Sequence, residues 1–258
     1  MTGSGWIWLA ISTACFLGGF VQAVLALSHG RYQPPAAKLV AMAAGFAGQC
    51  LFLAVRGQAT GRCPITSPQE ILVFVSWSAV LLYFVLGRAF RLSLLGMFIA
   101  PMVSLFQLMA LPFLIKPAVH RPADDYWLEM HASVSLLAYG AFALACIAGV
   151  MFLVQDRLLR RGDLQALSYE LPPVTNLATA IVRLMSIGLV LLSVGIASGF
   201  GTSRPPTGIH LLLSVGVWLA YAVILAVKWW RGLPSLETAR AAVIVFGLPV
   251  ITLLMLEH

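Results

Sequence analysis

The sequence is poor in charged residues. Asp, Glu, Lys and Arg make up 10% of its 258 residues, whereas soluble globular domains carry about 25%. An ordinary cytosolic enzyme is therefore excluded. Intrinsic disorder is also excluded, because it requires low hydrophobicity and high charge, and this chain is 60% hydrophobic with a mean hydropathy of +0.94. The class that remains is a polytopic helical membrane protein.

Most sequence signatures of catalysis and of metal binding are also missing. The four cysteines form no CxxC motif, so neither a structural zinc site nor a thioredoxin-like couple is indicated. Whether Cys50 and Cys63 form a disulfide is left open by the sequence. The chain has no HExxH, no GxSxG and no glycine-rich phosphate loop, so we expect it not to be an enzyme. The net charge of +7 lies in short loops without interleaved aromatics, which indicates contact with lipid headgroups and not with nucleic acid.

Long apolar runs fill most of the chain. A bilayer-spanning helix needs about 20 apolar residues, and only helices satisfy the backbone amides of such runs in lipid, since the strand-like alternation of a barrel is absent. We therefore predict an all-α fold, with one integral membrane domain over 1–258. Its eight predicted spans are 6–27, 36–55, 69–88, 92–115, 127–154, 176–199, 209–229 and 238–256.

The distribution of cations predicts the orientation. Loops after the odd-numbered spans hold ten of the Lys and Arg residues, and loops after the even-numbered spans hold five. Because cytoplasmic loops are enriched in cations, both termini are predicted to lie outside. The segment 155–175, with the Arg160-Arg161 pair, is then the main cytoplasmic feature, and it is expected to begin as a helical extension of span five at the level of the headgroups.

Ionisable residues are nearly absent at mid-depth. Glu70, Glu129 and Arg183 all lie near the ends of spans. A carrier coupled to ions normally keeps a charged residue in the bilayer core, and we expect no span to be interrupted at mid-depth. Both features disfavour a small-molecule transporter.

Two histidines are predicted to enter the membrane from the outer face. His131 opens span five and is followed by Ser135 and Tyr139, and His210 opens span seven and is followed by Ser214 and Trp218. Residues at i, i+4 and i+8 share one face of a helix. The pattern thus predicts two similar stripes at the same depth, each with an imidazole at its outer end.

Two imidazoles on facing helices can serve as the axial ligands of a haem iron. We predict His131 and His210 in that role, with Ser135, Tyr139 and Trp218 lining the site and Arg121 or Arg204 near the propionates. His120 is a substitute ligand. The alternative is that both histidines are interfacial residues with no ligand, since polar residues are common at the ends of spans.

Glu70 has two interpretations. It lies in the first turn of span three, where a carboxylate stabilises the helix by roughly 0.3–1 kcal/mol through the helix dipole. It could also lie near the edge of the predicted haem. The structural interpretation is favoured.

Several short motifs occur in a recognisable order. They are Cys63-Pro64 with Glu70, Phe74 and Trp77, then Leu94-Leu-Gly96-Met-Phe-Ile-Ala-Pro101, then Trp127-Leu with His131, Ser135, Tyr139 and Phe142. Together they resemble the cytochrome c assembly protein family, which includes CcsA, CcmC and shorter HemX-type integral membrane proteins. The resemblance covers roughly residues 60–250, and the HemX-type members fit best at Gln155-Asp-Arg157, Leu171-Pro172 and Trp230-Arg-Gly232.

The resemblance implies an eight-span protein of the bacterial inner membrane that handles haem. His131 occupies the place of the first external histidine of the family, and His210 lies in the region of the second. Larger members carry an external WGxxWxWD segment that holds haem, but the matching loop 198–208 of this chain contains neither tryptophan nor aspartate. Haem ligase activity is therefore not expected.

These observations lead to one expected function and two alternatives. We expect a haem-handling or cytochrome c maturation accessory protein, with haem as cofactor and other proteins of the cytochrome maturation or haem pathway as membrane partners. The first alternative is a scaffold that keeps the family fold without a cofactor. The second is the disfavoured transporter.

Overall fold

The structure, a computed structural model, describes residues 5–28, 35–65, 67–90, 95–114, 125–161, 174–202 and 208–255. These residues form helices and short connections, with no strand among them, which confirms the predicted all-α class. The helices are α1 (Gly5–Ser28), α2 (Pro35–Thr60), α3 (Pro68–Phe90), α4 (Leu95–Leu114), α5 (Tyr126–Arg161), α6 (Val174–Gly199), α7 (Gly208–Arg231), α8 (Ser235–Val245) and α9 (Gly247–Met255).

The helices have the length and composition of membrane spans. Within the described ranges, seven segments are long and apolar enough to cross a bilayer, and α4 contributes a shorter apolar stretch, Phe98–Phe113. The chain is therefore a multi-pass membrane protein with a polytopic helical bundle, as predicted. Helix α5 continues past the predicted end of span five to Arg161, which confirms the expected helical extension.

The last span, Ser235–Leu253, is long and apolar enough to cross a membrane as one segment, and its helix has a one-residue break at Phe246. Helix α8 ends at Val245 and α9 begins at Gly247, with Phe246 between them. Pro249 explains the break, because a proline lacks the N–H that would bond to the carbonyl four residues earlier, here that of Val245. The backbone ladder resumes with the Val250 N–H donating to the Phe246 carbonyl at 3.4 Å.

The chain divides into two compact units, and the single integral membrane domain over 1–258 stays a prediction. The first, which we call the N-terminal unit, is Met1–Pro122 with Leu158–Pro172, and the second, the C-terminal unit, is Ala123–Arg157 with Pro173–His258. Helices α1 to α4 belong to the former, and most of α5 with α6 to α9 belongs to the latter. Hydropathy locates spans but contains no information on which spans group together, so this division could not be predicted.

Small residues bring α1 and α2 close together in the N-terminal unit. A Cβ atom at Gly45 would lie 2.7 Å from the Phe16 ring, and one at Gly48 would lie 3.0 Å from the Ser12 Cβ. Gly19 faces Ala41 in the same way, at 3.0 Å. Small residues permit such close approach of helix backbones in membranes.

A layer of buried polar side chains joins the helices of the N-terminal unit. The Ser12 hydroxyl donates to the Gly45 carbonyl at 2.8 Å, and the Gln107 amide donates to the Ser12 hydroxyl at 3.1 Å. Nearby, the Gln49 amide donates to the Ser76 hydroxyl at 3.0 Å. All four side chains are buried. Because lipid offers no hydrogen-bond partner, such groups hold neighbouring helices together.

No disulfide joins the four cysteines of the described residues, so the disulfide left open between Cys50 and Cys63 is not formed. The Cys50 sulfur instead accepts a hydrogen bond from the Trp77 indole N–H at 3.3 Å.

Helix α5 forms the centre of the C-terminal unit. Its residues from Leu136 to Phe152 are almost all buried. Phe142 stacks on Tyr221 of α7 with ring centroids 3.7 Å apart and planes 6° from parallel. On the other side, a Cβ atom at Gly149 would lie 3.0 Å from the Ala239 carbonyl of α8. This packing fixes α5, which carries His131 near its first residue.

Candidate haem-ligand site

His131 lies in the second turn of α5. Asp125 caps this helix, because its side-chain oxygen accepts the Trp127 N–H at 2.9 Å. A carboxylate at this position satisfies an N–H that would otherwise have no partner at the helix start. The cap sets the first residue of α5 and therefore the position of the imidazole.

The end of α6 provides the partner for His131. The Nδ1 atom of His131 lies 2.6 Å from the Gly195 carbonyl oxygen. The Ser198 hydroxyl donates to the same oxygen at 2.8 Å. Other described residues offer the His131 Nε2 atom no hydrogen bond, so this atom is the one through which the ring can bind a ligand.

Ser135 follows His131 on the same face of α5, as predicted. Its side chain packs against Gly195, and its hydroxyl oxygen is buried without a hydrogen-bond partner in the described chain. Tyr139, one turn further in, is 4% exposed, and its hydroxyl is hydrogen-bonded to Ser214 of α7 and Thr252 of α9. The first stripe therefore faces α6 at its outer end and α7 and α9 deeper in.

The contact between Tyr139 and Ser214 brings α5 and α7 together four residues after His210. The equal depth of His131 and His210 stays a prediction. The His210 side chain lies outside the described residues.

Trp218 has a different environment from Tyr139. Its indole N–H donates to the Ser193 hydroxyl of α6 at 2.8 Å. The structure therefore places the third member of the α7 stripe at the contact between α6 and α7.

Glu70 belongs to the N-terminal unit, where it forms an ion pair. The Arg56 Nε donates to its carboxylate at 2.8 Å, and the Glu70 side chain is 1% exposed. This geometry gives Glu70 a structural role in joining α2 to α3. Arg121 and Arg204, the residues predicted near the propionates, and the substitute ligand His120 lie outside the described residues.

The donor set indicates which kind of metal the site could hold. The described residues contain no group of three or more His, Cys, Asp and Glu side chains that could hold a metal ion. A bare zinc ion usually needs three or four protein ligands. Haem iron takes four ligands from the porphyrin and needs only axial ligands from the protein, so a single anchored imidazole fits haem.

Three features of the site were missed from the sequence. Asp125, Gly195 and Gly199 were not singled out, although each had a local signal. An aspartate directly before an apolar run is a typical N-cap, and glycines spaced by four on α6 indicate a face that permits close packing.

Comparison with known proteins identifies the family. The sequence model of the family described as "Cytochrome C assembly protein" matches residues 67–258. The chain belongs to this family. The match begins just before α3 and includes the whole C-terminal unit, so His131 and its partners on α6 lie within it.

Three named relatives show the extent of the similarity. The chain is 27% identical to "Cytochrome c biogenesis protein CcsA" of Chlamydomonas reinhardtii, covering 76% of this chain and 58% of that protein. It is 28% identical to "Protein HemX" of Brevibacillus brevis, with 70% and 68% covered. It is also 27% identical to a CcsA of Synechococcus sp. (strain CC9902), with 77% and 75% covered.

Proposed function

We propose that this protein binds haem at the outer end of the C-terminal unit and acts as an accessory in cytochrome c maturation. In this proposal it is a multi-pass protein of a bacterial cytoplasmic membrane that meets other proteins of cytochrome maturation or haem supply there. Membership of the cytochrome c assembly family supports the pathway. The anchored imidazole of His131, whose Nε2 atom has no hydrogen-bond partner among the described residues, is the observation that supports haem.

The ligand set in this proposal is His131 with His210. When bound, haem supplies an iron centre with four equatorial nitrogens, and the chain supplies the axial imidazoles. The geometry around His131 supports its role as an axial ligand. His210 is included because it lies at the start of α7.

We further propose that the chain binds haem without catalysing its attachment. The sequence between α6 and α7 contains no tryptophan, whereas the larger family members carry their tryptophan-rich segment there. The described residues around His131 offer two hydroxyls, those of Ser135 and Ser198, and no second titratable group in hydrogen-bond contact with the ring. This chemistry suits ligation and retention.

An absorption spectrum tests the proposal. The full-length protein, purified in detergent and titrated with haem, is expected to give a Soret band and the visible bands of a six-coordinate imidazole complex. His131→Ala should weaken haem binding by at least tenfold, and His210→Ala should change the spectrum towards one axial ligand. His29→Ala, which alters a histidine predicted to lie on the opposite side of the membrane, serves as control and should bind haem as the wild type does.

The second candidate is a scaffold that keeps the family fold without a cofactor, and the missing tryptophan-rich segment favours it. If the wild-type protein takes up no haem in either oxidation state but purifies with a stable membrane partner, the scaffold is correct and haem binding is wrong. A spectrum that is unchanged in His131→Ala would remove this residue from the site. Uptake of a solute by proteoliposomes would revive the disfavoured transporter.

A further inference from the structure

Helices α5 and α6 pack along a row of glycines. Three glycines of α6 (Gly188, Gly195 and Gly199) each face one side chain of α5. Gly188 lies against Phe142, Gly195 against Ser135, and Gly199 against His131. The order on one helix is the reverse of that on the other, as antiparallel neighbours require. We call these contacts the glycine seam.

The Gly195 carbonyl selects one protonation form of His131. A carbonyl oxygen can only accept a hydrogen bond, so a nitrogen 2.6 Å away must donate one. A neutral imidazole carries its proton on one nitrogen and a lone pair on the other. The proton therefore lies on Nδ1, and the lone pair that binds metals lies on Nε2.

Gly199 leaves the space that the ring occupies. A Cβ atom at this position would lie 2.9 Å from His131 Nδ1 and 3.3 Å from its Cε1. Alanine would therefore push the ring away from α6 and lengthen or break the bond to Gly195. Any residue type other than glycine at position 199 would displace the His131 ring.

We infer that Gly195 and Gly199 are positioning residues that hold His131 as the Nδ1–H tautomer and thereby present Nε2 to the iron of a haem. The part that concerns haem depends on the proposed function. The part that concerns the tautomer stands on the glycine seam alone. Metal-bound histidines generally donate their second ring N–H to a carboxylate or a backbone carbonyl, and the loss of such a partner costs roughly 10–100-fold in metal affinity.

The first test measures the tautomer in the protein without haem. Protein labelled with ¹⁵N-histidine is studied by NMR in nanodiscs at a pH where imidazole is neutral, and the His131 signals are assigned by their loss in His131→Ala. We expect a protonated Nδ1 and an unprotonated Nε2 in the wild type. A dominant Nε2–H form would overturn the inference, and this outcome does not depend on whether any glycine variant folds.

The second test introduces a methyl group at the seam. Gly199→Ala should give a mixture of His131 tautomers and about 10–100-fold weaker haem binding. Gly216→Ala is the matched control, since this α7 glycine has no neighbouring atom within 4 Å of an added Cβ, and it should leave both measurements unchanged. A thermal unfolding curve for each variant separates loss of the bond from loss of the fold.

The outcomes distinguish the inference from the proposed function. If the wild type binds no haem while its NMR spectrum shows the Nδ1–H form, the proposed function fails and the tautomer assignment holds. If the wild type binds haem through His131 while a folded Gly199→Ala protein keeps both the tautomer and the affinity, the inference fails and the proposed function holds.

Discussion

Two tyrosines inside the C-terminal unit differ in whether the side-chain hydroxyl has a hydrogen-bond partner. The Tyr139 hydroxyl has hydrogen-bonding partners on α7 and α9. Tyr221 is 0% exposed, and its hydroxyl has no partner within the described part of the chain. A buried polar group without a partner costs about 1–3 kcal/mol, whereas a satisfied hydrogen bond contributes about 0.5–1.5 kcal/mol. Removal of the two hydroxyls should therefore have opposite effects.

Tyr221→Phe is expected to raise the free energy of unfolding by about 1–3 kcal/mol, because it deletes an unsatisfied group and keeps the ring stacked on Phe142. Tyr139→Phe should lower it by about 1 kcal/mol, because it breaks bonds to Ser214 and Thr252. Unfolding by SDS in mixed micelles measures both values. Equal destabilisation by the two substitutions would mean that Tyr221 has a polar partner, such as a bound water.

At the scale of helices, glycine decides how closely two neighbours approach. On α1 and α2, Gly45 is covered by the Phe16 ring, whereas Gly18 has no atom within 4 Å of an added Cβ. The two positions have the same residue type and secondary structure but different surroundings. An added methyl group therefore tests packing at Gly45 and helix propensity alone at Gly18.

Gly45→Ala should destabilise the protein by about 1–3 kcal/mol, since overpacking forces Phe16 or the backbone to move. Gly18→Ala, the matched control, should be neutral or stabilising by up to about 1 kcal/mol, because alanine is the better helix former. The difference between their unfolding midpoints is the quantity to measure. Similar midpoints for both variants would contradict the close approach of α1 and α2.

The ends of most helices could be predicted from hydropathy, because an apolar run has to match the thickness of the bilayer. The predicted span 209–229, for example, corresponds to helix α7, Gly208–Arg231. The break at Phe246 was missed, although Pro249 was visible in the sequence, because an apolar composition does not report a lost backbone bond. The contact of Tyr139 with Ser214 of α7 also could not be predicted, because hydropathy does not report which helices are neighbours.

At the scale of the whole molecule, aromatic residues mark two levels of the membrane. Tyr126 and Trp127 begin α5 with 74% and 48% exposure, and Trp229 and Trp230 end α7 with 68% and 87%. Tryptophan and tyrosine concentrate at the two interfaces of a bilayer. The excess of cations after odd-numbered spans predicts that the level of Tyr126 is the outer one.

Labelling of single cysteines tests this orientation. In a variant with all four natural cysteines changed to alanine, Phe200→Cys should react with an impermeant maleimide on intact cells, because Phe200 follows α6 on the predicted outer side and is 69% exposed. Arg161→Cys, at the exposed inner end of α5, should react only after permeabilisation. The reverse pattern would invert the topology and place His131 in the cytoplasm. The cysteine-free background controls for labelling of other groups.

Much less of the candidate site than of the fold could be predicted. His131 was predicted because a histidine at the start of an apolar run is conspicuous, and the residues beneath it were predicted from helical periodicity. Its partners could not be identified in the same way, because a backbone carbonyl such as that of Gly195 has no signature in the side-chain sequence. The pairing of Glu70 with Arg56 was missed for another reason, since charge patterns do not show which helices are neighbours.

The ion pair between Arg56 and Glu70 also limits how the chain can be cut and recombined. The family match starts at residue 67, between these two partners, and the Gln107–Ser12 bond crosses the same boundary. A hybrid protein joined at that residue would graft α3 and α4 onto foreign helices and leave the Glu70 carboxylate and the Gln107 amide without these partners. A junction between α4 and α5 keeps both contacts, and the segment Leu158–Pro172, which also belongs to the N-terminal unit, must then come from the same protein as α1 to α4.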